Sequence, residues 1–545
     1  MVFLFLPKHC HKLRGFLSDR HKVKEVLIVL FGLFCGLWFI SLGAVHYDLL
    51  YFPGDLADAR FNNYLLEHGY RFITDSDPYF WGAEFMYPER DVISYSDNLI
   101  GTVPIYGLYR VFGADRETSF QLWSLSMVVL NYLSAFFFLR FLVKNSMAAV
   151  IGAMIFAFSM ALHSQMVHAQ TFPRFMIPLA IWAALLYQKD LRPRYLFYAL
   201  LAWVYQMYCG IYLGFMLLIP LLLILVSSVI SRSKLYQLKI KNKRWWVLQS
   251  LSGISNLLLL LPLMLPYLRR SAQTGFYPYE QVIKSLPTPA SYLYSRHGTM
   301  FWQANQDYCV SYPNFWDFIL FPGGIALISF VVVLIVVAVT LFKKQVTLFQ
   351  GGDSSLKLFI VVGLIVWLVF MRFGNFSLYR IVHYLPGFGS MRALQRIINL
   401  ELLVFGAAAA VLAAKLIKQQ HPSAYLYFIV AVLLVLSDNY VRHDHFDKSL
   451  KFDSQLRVQD LMLKIDTASS ATVLSYEPDT VLKSQIYFQL DAMMAAQSLG
   501  MKTLNGYSAT SPAGYDAYWR LPNAASRRAW LKHTGLDSNY VQVVH

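Results

Sequence analysis

Long apolar runs recur along most of this chain and constrain its fold more than any other feature of the sequence. A helix rises about 1.5 Å per residue, so roughly 20 apolar residues cross a bilayer core of about 30 Å. Hydrophobic residues make up 57% of the 545 and charged residues only 14%, too little charge to cover soluble cores of this size. We therefore predict an all-α polytopic membrane domain with about eleven transmembrane helices. The predicted spans are 26–45, 119–139, 147–162, 173–188, 195–210, 211–230, 247–268, 318–342, 357–371, 395–414 and 423–437.

The positive charge lies where it would orient such a domain. The net charge is +16, and a basic N-terminus precedes the first apolar run. That pattern also fits a signal peptide, but many spans follow and no small-residue cleavage site is evident, so we predict an uncleaved first helix. With the N-terminus in the cytoplasm, the cytoplasmic segments are rich in lysine, as the positive-inside rule requires, and no nucleic-acid partner is needed to explain the charge. These segments contain Lys144, Lys189, Lys234, Lys239, Lys241, Lys243, Lys343, Lys344, Lys415 and Lys418, whereas the external segments before residue 438 contain Lys284.

One apolar stretch, Leu99–Phe112, is short and is interrupted by Gly101, Pro104 and Gly107. Counting it as a full span would invert every later loop and place the lysine-rich ones outside. We therefore predict an interfacial or re-entrant segment here.

The chain is expected to divide into three parts. Residues 1–25 form a cytoplasmic basic N-terminus, and residues 26–437 form the transmembrane domain, with large external loops at 46–118 and 269–317. Residues 438–545 change in composition and are predicted to form a small external α/β domain. The segments that indicate this class are a strand at 471–476 and helices at 486–498 and 523–533. The expected location is a bacterial cytoplasmic (inner) membrane, crossed many times, with the C-terminal domain outside.

Several function classes lose support because their motifs are missing from the sequence. It contains no Walker loop, dinucleotide fingerprint or zinc-protease helix, which argues against ATP-driven transport and soluble-cofactor chemistry. Cys10, Cys35, Cys209 and Cys309 are scattered and have no metal-ligand spacing, so no disulfide framework is expected.

The first group of candidate functional residues follows the first span, in the segment from Pro53 to Asn63. If a helix begins near Asp55, then Asp55 and Asp58 share one face. Two carboxylates at a membrane boundary could supply a general base or hold a divalent cation. The alternative is structural, since an aspartate after Pro-Gly is a natural helix cap and a second one suits the helix dipole.

The second group lies in the turn between the third and fourth spans. His163, His168, Gln170 and Arg174 are polar or ionisable residues at an external membrane mouth, where they could bind a sugar or an anionic headgroup. The alternative is an interfacial loop whose polar residues simply meet water. No third ligand lies near the two histidines in sequence, which argues against a metal site.

The third group is a set of arginines in an external turn, where the charge rule disfavours basic residues: Arg372, Arg380, Arg392 and Arg396. Arg392 and Arg396 are four residues apart, on one face at the start of the tenth span. Guanidinium groups bind phosphate oxygens bidentately, so the set predicts a phosphate-binding site. Interfacial snorkelling, or pairing with carboxylates elsewhere, is the alternative.

Together these segments resemble the GT-C superfamily of membrane glycosyltransferases, and in particular the bacterial uncharacterised membrane proteins grouped near it. The resemblance spans most of the chain, although each motif is short. The similar features are Gly54-Asp55 with Asp58, the His/Gln-rich turn before Pro173, Leu320-Phe321-Pro322-Gly323-Gly324, Leu385-Pro386-Gly387-Phe388 with Arg392 and Arg396, Leu490-Asp491-Ala492-Met493, and Asn505-Gly506-Tyr507-Ser508.

The resemblance implies inverting transfer of a hexosyl or pentosyl group from a polyprenyl-phosphate carrier. Asp55 would be the base and Asp58 its partner, while Arg380, Arg392 and Arg396 would bind the donor phosphate. The chain has D-x-x-D where many members of the superfamily have D-x-D or E-x-D. A divalent cation, Mg²⁺ or Mn²⁺, is the one cofactor candidate.

The sequence thus predicts a membrane glycosyltransferase that uses a lipid-linked donor and an envelope glycan, lipid or protein acceptor on the external face. One alternative is a transporter or flippase for a lipid-linked saccharide. A transporter should have polar groups near the bilayer midplane, whereas the ionisable residues here cluster at the external end. The other alternative is a non-catalytic scaffold with a GT-C-like fold.

Overall fold

A computed structural model describes residues 20–74, 79–231, 233–302, 315–343, 354–418, 421–478 and 484–545. The basic N-terminus up to residue 19, with Cys10, lies outside the described residues, as do Cys309 and Lys344. The described cysteines, Cys35 and Cys209, are both free and buried.

The described chain is mostly helical. Its helices are α1 (Arg20–Gly36), α2 (Leu42–Val45), α3 (Asp58–Thr74), α4 (Val103–Val111), α5 (Arg116–Val143), α6 (Ser146–Phe158), α7 (Met176–Asp190), α8 (Pro193–Cys209), α9 (Ile211–Ser231), α10 (Ser233–Ile240), α11 (Lys243–Thr274), α12 (Tyr279–Val282), α13 (Gly324–Lys343), α14 (Ser354–Val369), α15 (Tyr379–His383), α16 (Ile398–Leu416), α17 (Ala424–Asn439), α18 (Lys451–Lys464), α19 (Gln485–Leu499), α20 (Asp516–Arg520) and α21 (Ala524–Thr534). Its strands are β1 (Tyr51–Pro53), β2 (Lys448–Leu450), β3 (Val473–Tyr476), β4 (Lys502–Thr503) and β5 (Val541–Val544).

Within the described residues, seven helical stretches are long and apolar enough to cross a membrane. They are Lys22–Val45, Arg116–Val143, Ser146–Gln165, Ala169–Asp190, Ile211–Ile230, Lys243–Thr274 and Leu394–Leu416. The chain is therefore an integral membrane protein. Three shorter apolar helices and the 17-residue α8 coincide with the other predicted spans, so the count of eleven stays a prediction.

The segment predicted not to span contains α4, which has nine residues. A helix of that length reaches about 14 Å, half of a bilayer core. Elsewhere the bundle is closely packed because small residues face each other: a Cβ added at Gly152 of α6 would collide with the backbone of Gly406 in α16. Such small-residue contacts are a common way for membrane helices to approach.

The C-terminal segment forms a three-stranded parallel sheet of order β4-β3-β5, with Val473 opposite both Lys502 and Val541. Strand β3 and helices α19 and α21 occupy the positions predicted for a strand and two helices. The segment shares its hydrophobic core with the loop after the first span, through Phe61 and Phe85 of the loop and residues such as Leu474, Met493 and Trp530. Whether residues 438–545 are an independent domain stays a prediction.

Backbone pairing and a buried ion pair hold the two external segments together. Strand β1 pairs antiparallel with β2, with Tyr51 opposite Leu450. The Thr503 amide donates to the carbonyl of Glu84 at 2.7 Å. Nη1 of Arg60 in α3 lies 2.5 Å from Oδ1 of Asp491 in α19, and both side chains are almost fully buried. These contacts place the C-terminal segment directly over the start of α3.

Candidate active site

The start of α3 is fixed by a glycine that no other residue could replace without strain. Gly54 follows β1 and has a φ of +86°, in the left-handed region. A Cβ added there would lie 2.7 Å from Cβ of Ala59 and 2.9 Å from the carbonyl oxygen of Met166. The close approach brings the turn that carries Asp58 against the turn that carries His168.

Asp55 and Asp58 have different surroundings although only three residues separate them. Oδ1 of Asp55 accepts hydrogen bonds from the amides of Ala57 at 3.2 Å and Ala59 at 3.0 Å, so it caps the turn into α3. Burial raises the pKa of Asp55 to about 6, with a further contribution from Asp58, against the effect of the two amides. The side chain is half-buried and is not part of the large cavity described below. Of the two aspartates, Asp58 lines that cavity.

Asp58 lies in the centre of a group of polar and ionisable side chains. Its Oδ2 is 3.2 Å from Nδ1 of His168, and Nε2 of His168 is 3.7 Å from Oδ1 of Asp317. The phenol of Tyr507 donates a hydrogen bond to Oδ1 of Asp58. The structure thus brings together Asp58 and His168, which the sequence predicted, with Asp317 and Tyr507, which it did not.

Electrostatics keep this group charged. Burial alone would raise the pKa of Asp58, but the hydrogen bonds from His168 and Tyr507 and the charge of Arg396 outweigh it, so the pKa is lowered. Burial and Arg396 would lower the pKa of His168, but the hydrogen bonds to Asp317 and Asp58 outweigh them and raise it. The carboxylate of Asp58 is therefore ionised at neutral pH, and its charge favours the protonated form of His168.

A cavity of about 1450 Å³ opens beside Asp58. The lining residues come from the start of α3, the turn before α7, the start of α9, the C-terminal end of α11, the turn before α16 and the C-terminal segment. The residues that bear on its chemistry are Asp58, Asp97, His168, Gln170, Arg270, Lys284, Asp317, Arg392, Arg396 and Tyr507. Carboxylates and basic side chains thus line one space, at a size that accommodates a sugar with its phosphate.

Two of the predicted arginines line this cavity. The Arg396 guanidinium lies over the ring of Tyr212 at 5.1 Å, and its buried Nε has no hydrogen-bond partner among the described residues. Arg392 donates from Nη2 to the carbonyl of Ala509 at 2.7 Å. Both side chains therefore bring positive charge to the lining of the cavity.

Arg380 does not line the cavity. It is exposed and lies over the ring of Tyr279 at 5.7 Å. The fourth arginine of the predicted set, Arg372, is also absent from the lining.

His163 and Arg174 are likewise separate from the large cavity. Both are buried and line a second cavity of about 70 Å³. Nη1 of Arg174 donates to Oδ1 of Asn399 at 2.9 Å and Nη2 donates to the carbonyl of Phe156 at 3.2 Å, so this arginine joins α6, α7 and α16. Gln170, by contrast, lines the large cavity and accepts a hydrogen bond from Asn62 at 3.0 Å. Of the four residues predicted to bind substrate, His168 and Gln170 line the large cavity.

Sequence reasoning missed Asp97, Asp317, Arg270 and Tyr507. Oδ1 of Asp97 accepts from the amide of Ile211 at 2.5 Å, and burial raises its pKa to about 6 against that amide and Arg396. Arg270 stacks over Tyr95 at 3.5 Å and donates to Thr510 at 3.1 Å. The only sequence signal for any of these was the Asn-Gly-Tyr-Ser segment that contains Tyr507. The others stand alone in loops or at the end of a helix.

The predicted divalent cation finds no ligand set in the described parts of the chain, since no three His, Cys, Asp or Glu side chains there form a metal-binding group. His168 stands between the carboxylates of Asp58 and Asp317, in the space where a bridging cation would lie. As arranged, these residues therefore do not fit Mg²⁺ or Mn²⁺.

No protein-family model matches the chain, and no curated protein matches it in sequence. Among solved structures it is similar to the oligosaccharyltransferase of Archaeoglobus fulgidus, with 11% identity and a TM-score of 0.48 over 95% of this chain and 69% of that one. Another structure of that protein, AglB, is in complex with an inhibitory peptide and a dolichol-phosphate.

Two further solved structures are similar. For the arabinofuranosyltransferase AftD from Mycobacteria the identity is 14% and the TM-score 0.46, over 84% of this chain but only 29% of that one. For ArnT from Cupriavidus metallidurans the values are 10% and 0.40, over 94% and 91% of the chains. The structural neighbours are GT-C glycosyltransferases, the class that the sequence resembles. The likeness concerns the course of the helices, so the function is argued from the site.

Proposed function

We propose that this protein is a membrane glycosyltransferase that moves a sugar from a polyprenyl-phosphate carrier to an acceptor hydroxyl. The observation that carries the proposal is that one cavity is lined by Asp58 and by Arg392 and Arg396. A base and a phosphate-binding group that reach the same space are what inverting sugar transfer requires.

The base in this proposal is Asp58, and Asp55 has the supporting role. Asp58 lines the cavity and is ionised, whereas Oδ1 of Asp55 is taken by two backbone amides. The acceptor hydroxyl would give its proton to Asp58 as its oxygen attacks the anomeric carbon. The bond from that carbon to the phosphate oxygen then breaks, and the electron pair leaves with the polyprenyl phosphate. His168 contacts Oδ2 of the carboxylate and balances part of its charge.

Arg396 is the residue proposed to stabilise the leaving phosphate. Its half-buried guanidinium stacks on Tyr212 and has an unused buried N–H. Arg392, Arg270 and Lys284 extend the positive wall toward the cavity mouth. Preorganised donors of this kind typically account for roughly 10²- to 10³-fold in rate each.

The cavity also has an apolar side that suits a lipid carrier. Leu268 and Phe276 line it and are 56% and 64% exposed. Large apolar side chains are exposed in this way where they face lipid or a bound apolar chain. A polyprenyl chain could remain in the bilayer while its phosphate reaches Arg396. The partners in this proposal are thus a membrane lipid carrier and a glycan, lipid or protein acceptor.

The orientation that we propose places the cavity on the external face of a bacterial cytoplasmic membrane. The lysine distribution along the sequence supports this orientation. The donor would then be used outside the cytoplasm, where the carrier presents its sugar to envelope acceptors.

The decisive experiment compares Asp58→Asn with Asp55→Asn. Each purified variant, in lipid nanodiscs, would be assayed for sugar transfer and donor hydrolysis with radiolabelled polyprenyl-phosphate sugars. We expect Asp58→Asn to lose kcat by more than about a hundredfold with KM for the donor nearly unchanged, because a base acts in the chemical step. Asp55→Asn is the matched control and should stay active, because asparagine caps a helix about as well as aspartate.

A second pair of variants tests whether Arg396 binds the donor phosphate. Arg396→Lys should lose most of the transfer, because the point charge of lysine cannot reproduce the guanidinium fork. Arg380→Lys, outside the cavity, should keep it. Full activity in both Asp58→Asn and Arg396→Lys would refute the glycosyltransferase proposal and favour the transporter or scaffold.

A further inference from the structure

A segment of five consecutive residues from the C-terminal part of the chain lines the cavity. Residues 507–511 follow β4 and all line it. Arg392 and Arg270 donate hydrogen bonds to the backbone or side chains of residues 509–511. Tyr507, at the start of the segment, donates to Asp58 in α3.

One helix, α19, fixes this segment against the start of α3. On the side of the segment, Oε1 of Gln489 accepts from the amide of Gly506 at 2.9 Å. The amide of Tyr507 lies 3.2 Å from Sδ of Met493. On the side of α3, Asp491 pairs with Arg60, two residues after Asp58. Because α19 contacts both partners, the distance from the Tyr507 phenol to the Asp58 carboxylate is set by a buried framework.

We propose that Tyr507 is a positioning residue for Asp58: its phenol holds one carboxylate oxygen so that the carboxylate keeps the rotamer that faces the acceptor hydroxyl. This inference rests on the proposed function of Asp58 as the base. Tyr507 contacts Oδ1 of the Asp58 carboxylate and His168 contacts Oδ2. Because both oxygens are held, the carboxylate cannot rotate about its last torsion angle. One lone pair on each oxygen remains for the acceptor.

The groups that face Asp58 determine how removal of the Tyr507 phenol would change the pKa of Asp58. They are Tyr507, His168, Arg396 and Asp55. The hydrogen bond from Tyr507 favours the charged carboxylate and is one of the causes that lower the pKa of Asp58. Burial and Asp58 raise the pKa of Tyr507 above its ordinary value, so the phenol stays protonated and remains a donor. Loss of the phenol should therefore raise the pKa of Asp58 as well as loosen its geometry.

The test is Tyr507→Phe, with Tyr518→Phe as the matched control. Tyr518 is a buried tyrosine in α20, also in the C-terminal part of the chain. Its hydroxyl contacts Ser475 and Asn505, away from the cavity. Assayed as above, Tyr507→Phe should lose kcat by about tenfold, as expected for one hydrogen bond to a charged group, while KM for the donor is unchanged. The acid limb of its pH–rate profile should move to higher pH. Tyr518→Phe should leave the limb where it is.

Two further measurements exclude a merely structural role. In the Asp58→Asn background, Tyr507→Phe should cause no further loss, because Tyr507 acts through Asp58. Replacement of Tyr507 by 3-fluorotyrosine keeps the side-chain shape but strengthens the donor, so the acid limb should move to lower pH. If Tyr507→Phe does not fold, the 3-fluorotyrosine variant alone tests whether Tyr507 positions Asp58.

An unchanged acid limb in both Tyr507 variants, or full additivity with Asp58→Asn, would overturn the inference while leaving the proposed function intact. Full activity of Asp58→Asn itself would instead overturn the proposed function, so the two failures are distinguishable.

Discussion

At the scale of residues, the chemistry of each acid depends on what its two oxygens contact. Oδ1 of Asp55 accepts from two backbone amides, which commits that oxygen to the turn. Asp58 contacts two side chains, His168 and Tyr507, through different oxygens. Each oxygen of Asp58 keeps a lone pair for a substrate hydroxyl, whereas the backbone cap at Asp55 cannot be released without opening the turn.

The ionisation of His168 gives a pH-dependent prediction for stability. Its pKa is raised in the folded protein, so the folded state binds the proton more tightly than the unfolded state does. The stabilisation is fully present below the unfolded value and is lost as pH rises through the folded one. The thermal midpoint of the wild type should therefore fall as the pH increases above about 6.5, and His168→Gln should remove this part of the slope.

The measurement is thermal unfolding of detergent-solubilised protein between pH 5.5 and 9. His297→Gln, which changes an exposed histidine away from the cavity, is the control and should keep the wild-type slope. An identical slope in wild type and His168→Gln would show that the imidazolium does not stabilise the fold.

At the scale of elements, the site depends on the contact between two turns, the one before α3 and the one before α7. Gly54 lies at this contact with a positive φ, so Gly54→Ala combines backbone strain with a collision against Ala59 and Met166. We expect the variant to lower the thermal midpoint and to lose most of the transfer activity, because the separation of the turns moves Asp58 away from His168.

Gly253→Ala is the matched control for that variant. Gly253 lies inside α11, and a Cβ added there has no neighbour within 4 Å. Alanine favours helix by about 1 kcal/mol over glycine, so this variant should be neutral or slightly more stable and fully active. Equal behaviour of the two alanine variants in thermal unfolding and transfer assays would contradict the role given to Gly54.

The same scale shows which features the sequence could predict. Long helices such as α5, α9 and α19 follow from local patterns, because helical hydrogen bonds join residues that are close in sequence. Strand β3 could be predicted from its local residue pattern, but its partners in β4 and β5 could not, because they are distant in sequence. The cavity is different: Asp58 contacts residues 168 and 507, and residue 168 contacts residue 317, and no local pattern encodes such contacts. The sequence therefore indicated which aspartates to consider and put both on one face, but the partners that distinguish Asp58 from Asp55 could be seen only in the folded chain.

At the scale of the whole molecule, the orientation of the bundle decides where the cavity opens. If the charge rule holds, the loop containing Asp58 and the C-terminal segment lie outside, and the lysine-rich turn at α10 lies inside. Reporter fusions after residues 90, 240, 350 and 445 should then read outside, inside, inside and outside. A paired alkaline phosphatase and green fluorescent protein series measures this. A cytoplasmic signal at 445 would overturn both the span count and the proposed external site.

The contact between Tyr507 and Asp58 has a consequence for biosynthesis. The two residues are 449 positions apart, so the ribosome makes the acid early and its partner near the end. Ten of the eleven predicted membrane spans lie between them in the order of synthesis, and insertion of the bundle must precede the contact. A nascent chain stalled before residue 500 would thus hold an inserted bundle without a completed cavity. Carrier lipid would meet a functional site only after the last segment has been translocated and has folded onto α3.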